Sequence, residues 1–185
     1  MHAPASPHRR MNRGLLIAIA LMWLLAPAAR AESEYEVKAA YLVNFAKLVD
    51  WPASALPGGK GALVIGIVGR GPVGDELTRI ISGASANGHP IEIRRVSAGD
   101  GGALAACHML FVPDSERAET VLGAVQGRPV LVVGEAADFV RRGGAIGFVK
   151  DNGSLKFEAN PKAAARNGLT VSAKLLRVAR EVIDR

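Results

Sequence analysis

Cysteine is almost missing from this chain of 185 residues. Cys107 is the single one, so no internal disulfide can form even in an oxidising compartment. A strong charge excess is also missing, although the formal net charge of +6 first implies one. Arg9, Arg10, Arg13 and Arg30 stand in the first 31 residues with no acid among them. Without them, 19 basic side chains face 17 acidic ones. That ordinary balance removes the main argument for a nucleic-acid partner. The longest apolar run, Leu15 to Leu25, falls short of the roughly 20 residues that a membrane span needs.

Catalytic and metal-binding patterns are missing as well. The chain contains no G-x-S-x-G, no H-E-x-x-H and no persuasive triad. Of the four histidines, His2 and His8 lie near the start. His89 and His108 share no ligand spacing. Cys107 and His108 are adjacent and lead into an apolar strand, where neighbours point to opposite faces, so they do not make a nucleophile–base pair. No repeat, low-complexity tract or second-domain linker interrupts the chain. The expectation is a non-enzyme with no metal site and no cofactor.

Residues 1–31 have the layout of a secretory signal: a basic stretch from His8 to Arg13, a short apolar core, and Ala29-Arg30-Ala31 as a small-x-small cleavage site. Cleavage near Ala31 leaves one exported domain, residues 32–185, long enough to build a sizeable core.

Within that domain, short apolar strands alternate with helical segments. Leu63–Val68, Ile91–Val96, Met109–Val112 and Val130–Val133 are predicted strands. Helices are predicted over 73–84, 103–106, 115–125 and 135–142. This alternation predicts a βαβ arrangement, with a largely parallel sheet covered on both faces. From Ala145 the pattern changes. Asn152-Gly153 is a strong hairpin turn, which pairs Phe148 with Phe157. Asn160-Pro161 starts a short helix that Gly168 stops, and a last helix is predicted over 172–183. The fold class is α/β: a single-domain, three-layer α/β sandwich with a mostly parallel mixed sheet and a C-terminal β-hairpin.

The segment from Tyr35 to Pro52 organises the rest. At helical spacing it shows two apolar stripes. Val37, Ala40, Tyr41, Asn44, Leu48 and Trp51 make one, read as the core face. Ala39, Leu42, Ala46 and Val49 make the other, in the three–four spacing of a helix–helix seam. A surface helix usually has a single stripe. The second is therefore expected to form a partner or dimer interface, with Trp51 as an anchor or a core residue.

Gly69-Arg70-Gly71-Pro72-Val73-Gly74 has G-x-G-x-x-G spacing between a strand and a helix, the setting of a dinucleotide fingerprint. The acid expected after the second strand is replaced by Arg94-Arg95, and Pro72 removes an amide donor. A tight strand–helix turn is the plainer reading. Asp114 and Glu135 follow the third and fourth strands, where open α/β sheets bind ligands. With Gly69, Gly71 and Gly74 they make a candidate ligand crevice.

Several stretches in succession resemble the YfiR family: YEVKAAYLVNFAKLVDWP, LVIGIVGRGPVGDEL, ACHMLFV, VGE at 133–135, GGAIGFVKDNGSLKFEAN and GLTVSAKLLRVAR. The resemblance spans about residues 34–182. It implies a periplasmic, non-catalytic homodimer that binds the sensor region of an inner-membrane diguanylate cyclase, or another membrane sensor. Such binding would repress cyclic-di-GMP signalling and so biofilm formation. It also matches Gly69, Pro72 and Gly74 to the family's turn, leaving Gly71 incidental. Some relatives link disulfide state to activity, but a lone Cys107 cannot. The alternative function is a periplasmic small-molecule or nucleotide binder using the Gly69–Gly74 turn.

Overall fold

The computed structural model describes residues 33–56, 61–81 and 83–184; the signal expected at 1–31 lies outside them. Helix α1, Glu34–Leu48, opens with a reciprocal cap. Glu36 N donates to Ser33 Oγ at 3.2 Å, and Ser33 N donates to the Glu36 carboxylate at 3.0 Å, satisfying two amides that a helix start leaves orphaned. The chain then extends into β1, Val49–Asp50, which pairs antiparallel with β9, Thr170–Val171.

The main sheet has eight strands, in the order β10-β8-β7-β6-β5-β2-β4-β3. Its centre is β2 (Leu63–Val68), β4 (His89–Val96), β5 (Met109–Val112), β6 (Leu131–Gly134) and β7 (Ile146–Asp151), all parallel. The antiparallel β8, Ser154–Ala159, follows β7 through Asn152-Gly153, both at positive φ, and Phe148 faces Phe157 as the turn predicts. Two short strands close the edges: β3 (Ser85–Ala86) and β10 (Glu181–Val182).

Helices cover both faces. Leu63, Ile65 and Ile67 of β2 pack into a core with α1 and α2 (Pro72–Ile80), while Val64 and Val68 join a second core with α3 (Gly101–Ala105) and α4 (Ala118–Ala124). Helices α5 (Pro161–Arg166) and α6 (Ala173–Val178) add Ala164 and Leu175 to the first. The α/β sandwich is the architecture that the sequence predicts. Burying each large side chain on these faces contributes about 1.5–3 kcal/mol.

Three expectations are corrected. Residues 135–142 form turns rather than a helix, and Asp138 sits at φ 55°, a left-handed conformation no helix continues through. The last helix stops at Val178. Beyond it Arg180 N donates to Phe157 O and Ile183 N to Ala159 O, so the chain finishes as a strand along β8.

The third correction concerns α1. Ala39, Leu42, Ala46 and Val49 are each 0% exposed within one chain, so the predicted interface seam is the core face. The stripe read as core is the outer flank: Ala40 and Asn44 are exposed, and Val37, Tyr41 and Leu48 only half-buried. Phe45, absent from both stripes, decides the matter. Its ring lies 5.0 Å from that of Phe157 and 5.9 Å from that of Phe148. With Phe45 turned inward, the small Ala39 and Ala46 beside it allow close packing, and Leu42 fills the space between. Trp51 is half-buried and packs on this core, so it is not a free anchor either.

Candidate functional site

The order of the strands creates a crevice. From β2 the chain crosses to β4 on one side, then returns to β5 on the other. The loops leaving β2 and β5 therefore part in opposite directions, and a cleft opens beyond the strand ends. A cavity of about 230 Å³ occupies it. Ile67, Val73 and Phe111 line its apolar wall, and Arg70, Asp114 and Glu135 its polar side. The loop after β5 supplies Asp114, and the end of β6 supplies Glu135. Next to it, a groove of about 570 Å³ shares Asp114 and Glu135 as a common wall.

Four of the five candidate crevice residues, Gly71, Gly74, Asp114 and Glu135, line this cavity. Gly69 does not. It has φ +72°, its amide donates to Val96 O at 2.9 Å, and Glu116 packs where its side chain would be. Gly74 brings α2 close to β2: a Cβ there would lie 3.3 Å from Ile67. Gly71 is extended (φ 170°), and a Cβ on it would meet nothing within 4 Å. Pro72 has no amide hydrogen, and Gly74 N is taken by Gly71 O at 3.3 Å. Little is left to cradle a pyrophosphate, and the cavity is smaller than the ~300–1,000 Å³ of drug-sized sites. The dinucleotide reading is set aside.

A charged side chain absent from the sequence expectations lines the adjoining groove. Lys38, 5% exposed, donates to Glu135 at 2.9 Å and pairs with Glu34 at 2.7 Å, while Lys150 reaches Glu34 at 2.8 Å. Burial alone would lower the Lys38 pKa, but the Glu34 and Glu135 carboxylates outweigh it and hold it above 10.5. Hydrogen bonds from Lys150 and Lys38 hold Glu34 below 4.5. The sequence signal existed, since Glu34 and Lys38 stand four apart on a helix. That spacing describes an ordinary exposed pair, and nothing local predicts Glu135 above it.

At the opposite end of β5, Trp51 Nε1 donates to His108 O at 3.0 Å. His108 Nδ1 accepts from Val64 N at 3.0 Å, which makes Nε2 the donor to Ala55 O at 3.1 Å. His108 thus ties a strand start to a loop. Cys107 is buried, with Sγ 3.3 Å from Ala103 O, and burial pushes its pKa above 9.0. The two side chains share no hydrogen bond with each other. Among the described residues, no three His, Cys, Asp or Glu side chains gather as a metal-binding group, and no helix is long and apolar enough to cross a membrane.

An open, mostly parallel sheet with a cleft at its switch point defines a class of α/β proteins rather than a function. The family is narrower: the chain belongs to the YfiR/HmsC-like family, whose profile matches residues 35–180. That family is one of periplasmic regulators in cyclic-di-GMP signalling. No curated protein sequence matches the chain. Among solved structures, a conserved domain protein from Vibrio cholerae O1 biovar El Tor is similar at TM-score 0.51 and 15% identity, over 82% of this chain and 60% of that one. An ABC domain in complex with L-Trp from Streptococcus pneumoniae gives TM-score 0.47 and 17% identity, over 76% and 60%. The chain thus spans 60% of the length of each, and the first likeness is one of fold alone.

Proposed function

We propose that the protein is an exported, non-catalytic repressor. It binds the sensor region of an inner-membrane diguanylate cyclase as a homodimer and holds down cyclic-di-GMP synthesis. The observation that carries this reading is the family match over residues 35–180. Residues 1–31 would direct export and be removed near Ala31.

With Ala39, Leu42, Ala46 and Val49 in the core, the contact surface moves to the outer flank of α1. There Val37, Tyr41, Asn44 and Leu48 follow at spacings of four, three and four, a seam suited to a facing helix with a polar residue to set register. Binding would shift the sensor only by its difference in affinity for the two sensor states. The test is deletion of the gene followed by measurement of cyclic-di-GMP. A rise that wild-type protein reverses, and Asn44→Arg does not, supports the reading. An unchanged level, with no cyclase sensor co-purifying with the protein, overturns it.

A second reading is favoured by one observation: Gly71, Gly74, Asp114 and Glu135 meet at a single switch-point cavity. In this reading the domain also binds a small ligand there, and Gly69 takes no part.

A further inference from the structure

The switch-point cavity has a chemical character of its own. Its apolar wall comes from four elements: Tyr35 of α1, Ile67 of β2, Pro72 and Val73 of α2, and Phe111 of β5. Set against that wall are two carboxylates at the boundary with the larger groove, because Asp114 and Glu135 line both spaces. Asp114 has no hydrogen-bond or ion-pair partner among the described residues. Glu135 gives only Oε2 to Lys38. Lys38 and Lys150 are together matched by Glu34 and Glu135, so that network is balanced and supplies no countercharge to Asp114. Arg70 is the remaining charge, but it also lines two outer surface pockets with Arg95 and is exposed. It stands at the rim, and among the described residues Asp114 is the one unpaired carboxylate at the junction. The Tyr35 ring already lies 6.0 Å from one ammonium, that of Lys38, and an aromatic face attracts cations.

We propose that this cavity binds a small organic ligand that carries an ammonium group on an apolar body. The apolar part lies against Ile67, Val73 and Phe111. The ammonium sits at the junction, where Asp114 and the open oxygen of Glu135 accept its hydrogen bonds. The assignment rests on the small-ligand reading and goes further by naming the ligand's charge. It is independent of the cyclase partner.

Three probes of nearly one shape separate the alternatives: phenethylamine, phenylacetate and 2-phenylethanol, titrated calorimetrically into the purified protein. Phenethylamine is expected to bind, with an affinity that falls as salt rises. Asp114→Asn should weaken it at least about tenfold. Asp114 is exposed, so this change leaves the fold in place. Gly71→Phe should abolish binding by filling the mouth. Its backbone is extended and its Cβ direction open, so this variant should melt like the wild type. If phenylacetate or 2-phenylethanol binds as well as phenethylamine or better, the cavity stands as a ligand site and the ammonium assignment falls. Phenethylamine affinity unchanged by Asp114→Asn also overturns the assignment. If no probe binds, the small-ligand reading falls with it.

Discussion

Lys38 and Glu135 stand 97 positions apart in sequence, and their side chains meet at 2.9 Å. The contact ties the first turns of α1 to the end of β6, beside the switch-point cavity. A buried ion pair is weak evidence for net stability, but breaking it by removing one partner leaves the other uncompensated.

Lys38→Met should therefore destabilise the protein by about 1–3 kcal/mol, less than a fully buried pair because Glu34 and Glu135 keep some contact with water. Urea denaturation read by circular dichroism would measure it. The double variant Lys38→Met with Glu135→Gln should recover part of the loss, which a cavity effect alone would not allow.

The same network predicts a pH dependence. The folded-state pKa of Glu34 is depressed below 4.5, so its contribution is present above that value and is lost as pH falls through the folded pKa. Stability should drop below about pH 4.5 and drop less steeply in Glu34→Gln. Lys38 works in the opposite sense. Its folded pKa is raised above 10.5, so its contribution is complete below that pH and disappears on the alkaline side. Identical acid limbs for wild type and Glu34→Gln would contradict this account.

On α1, Leu42→Ala should cost about 2–5 kcal/mol, as expected for a fully buried leucine. Ala40→Glu and Asn44→Lys, on the exposed flank, should stay within about 0.5 kcal/mol. If the flank is an association surface, sedimentation should show these two variants dissociated at concentrations where wild type self-associates. Leu42→Glu should fail to fold instead of giving a stable monomer.

Gly134 and Gly144 make room for the ring of Phe139, which is 2% exposed. A Cβ on Gly134 would lie 2.5 Å from that ring, and one on Gly144 would clash with it too. Gly134→Ala should cost about 1–3 kcal/mol through overpacking. Gly71→Ala, with open space and an extended backbone, should be near neutral. Equal melting temperatures for the two variants would count against this packing.

Cys107 combines a raised pKa with burial, so little reactive thiolate is available. In native buffer its labelling by a thiol reagent should proceed only as fast as the protein opens, and should become rapid in urea. Fast labelling of the folded protein would show that the strand start is mobile.

Much of this was legible locally. The strand Leu63–Val68, the Phe148–Phe157 register and the Asn160 cap follow from apolar runs, an Asn-Gly turn and an Asn-Pro pair, all signals contained within a few residues. The candidate crevice was legible in part: strand ends in open α/β sheets point to Asp114 and Glu135, which do line one cavity, while Gly69 shares the glycine spacing but turns beneath Glu116. The end of the chain is ambiguous locally, because Leu175, Leu176 and Ile183 fit a helix as well as they fit a short helix followed by a strand beside β8.

Local patterning is enough to specify the alternation of strands and helices, the hairpin, and a first helix with apolar residues around most of its circumference. Which side of that helix faces inward is set by long-range packing, because the choice depends on whether Phe45 or Tyr41 fits deeper against Phe148 and Phe157. Long-range packing also buries Lys38, because Glu135 reaches it only once β6 lies beside β5. Local patterns record what a segment can bury, while the volumes and charges brought by distant segments settle what it does bury.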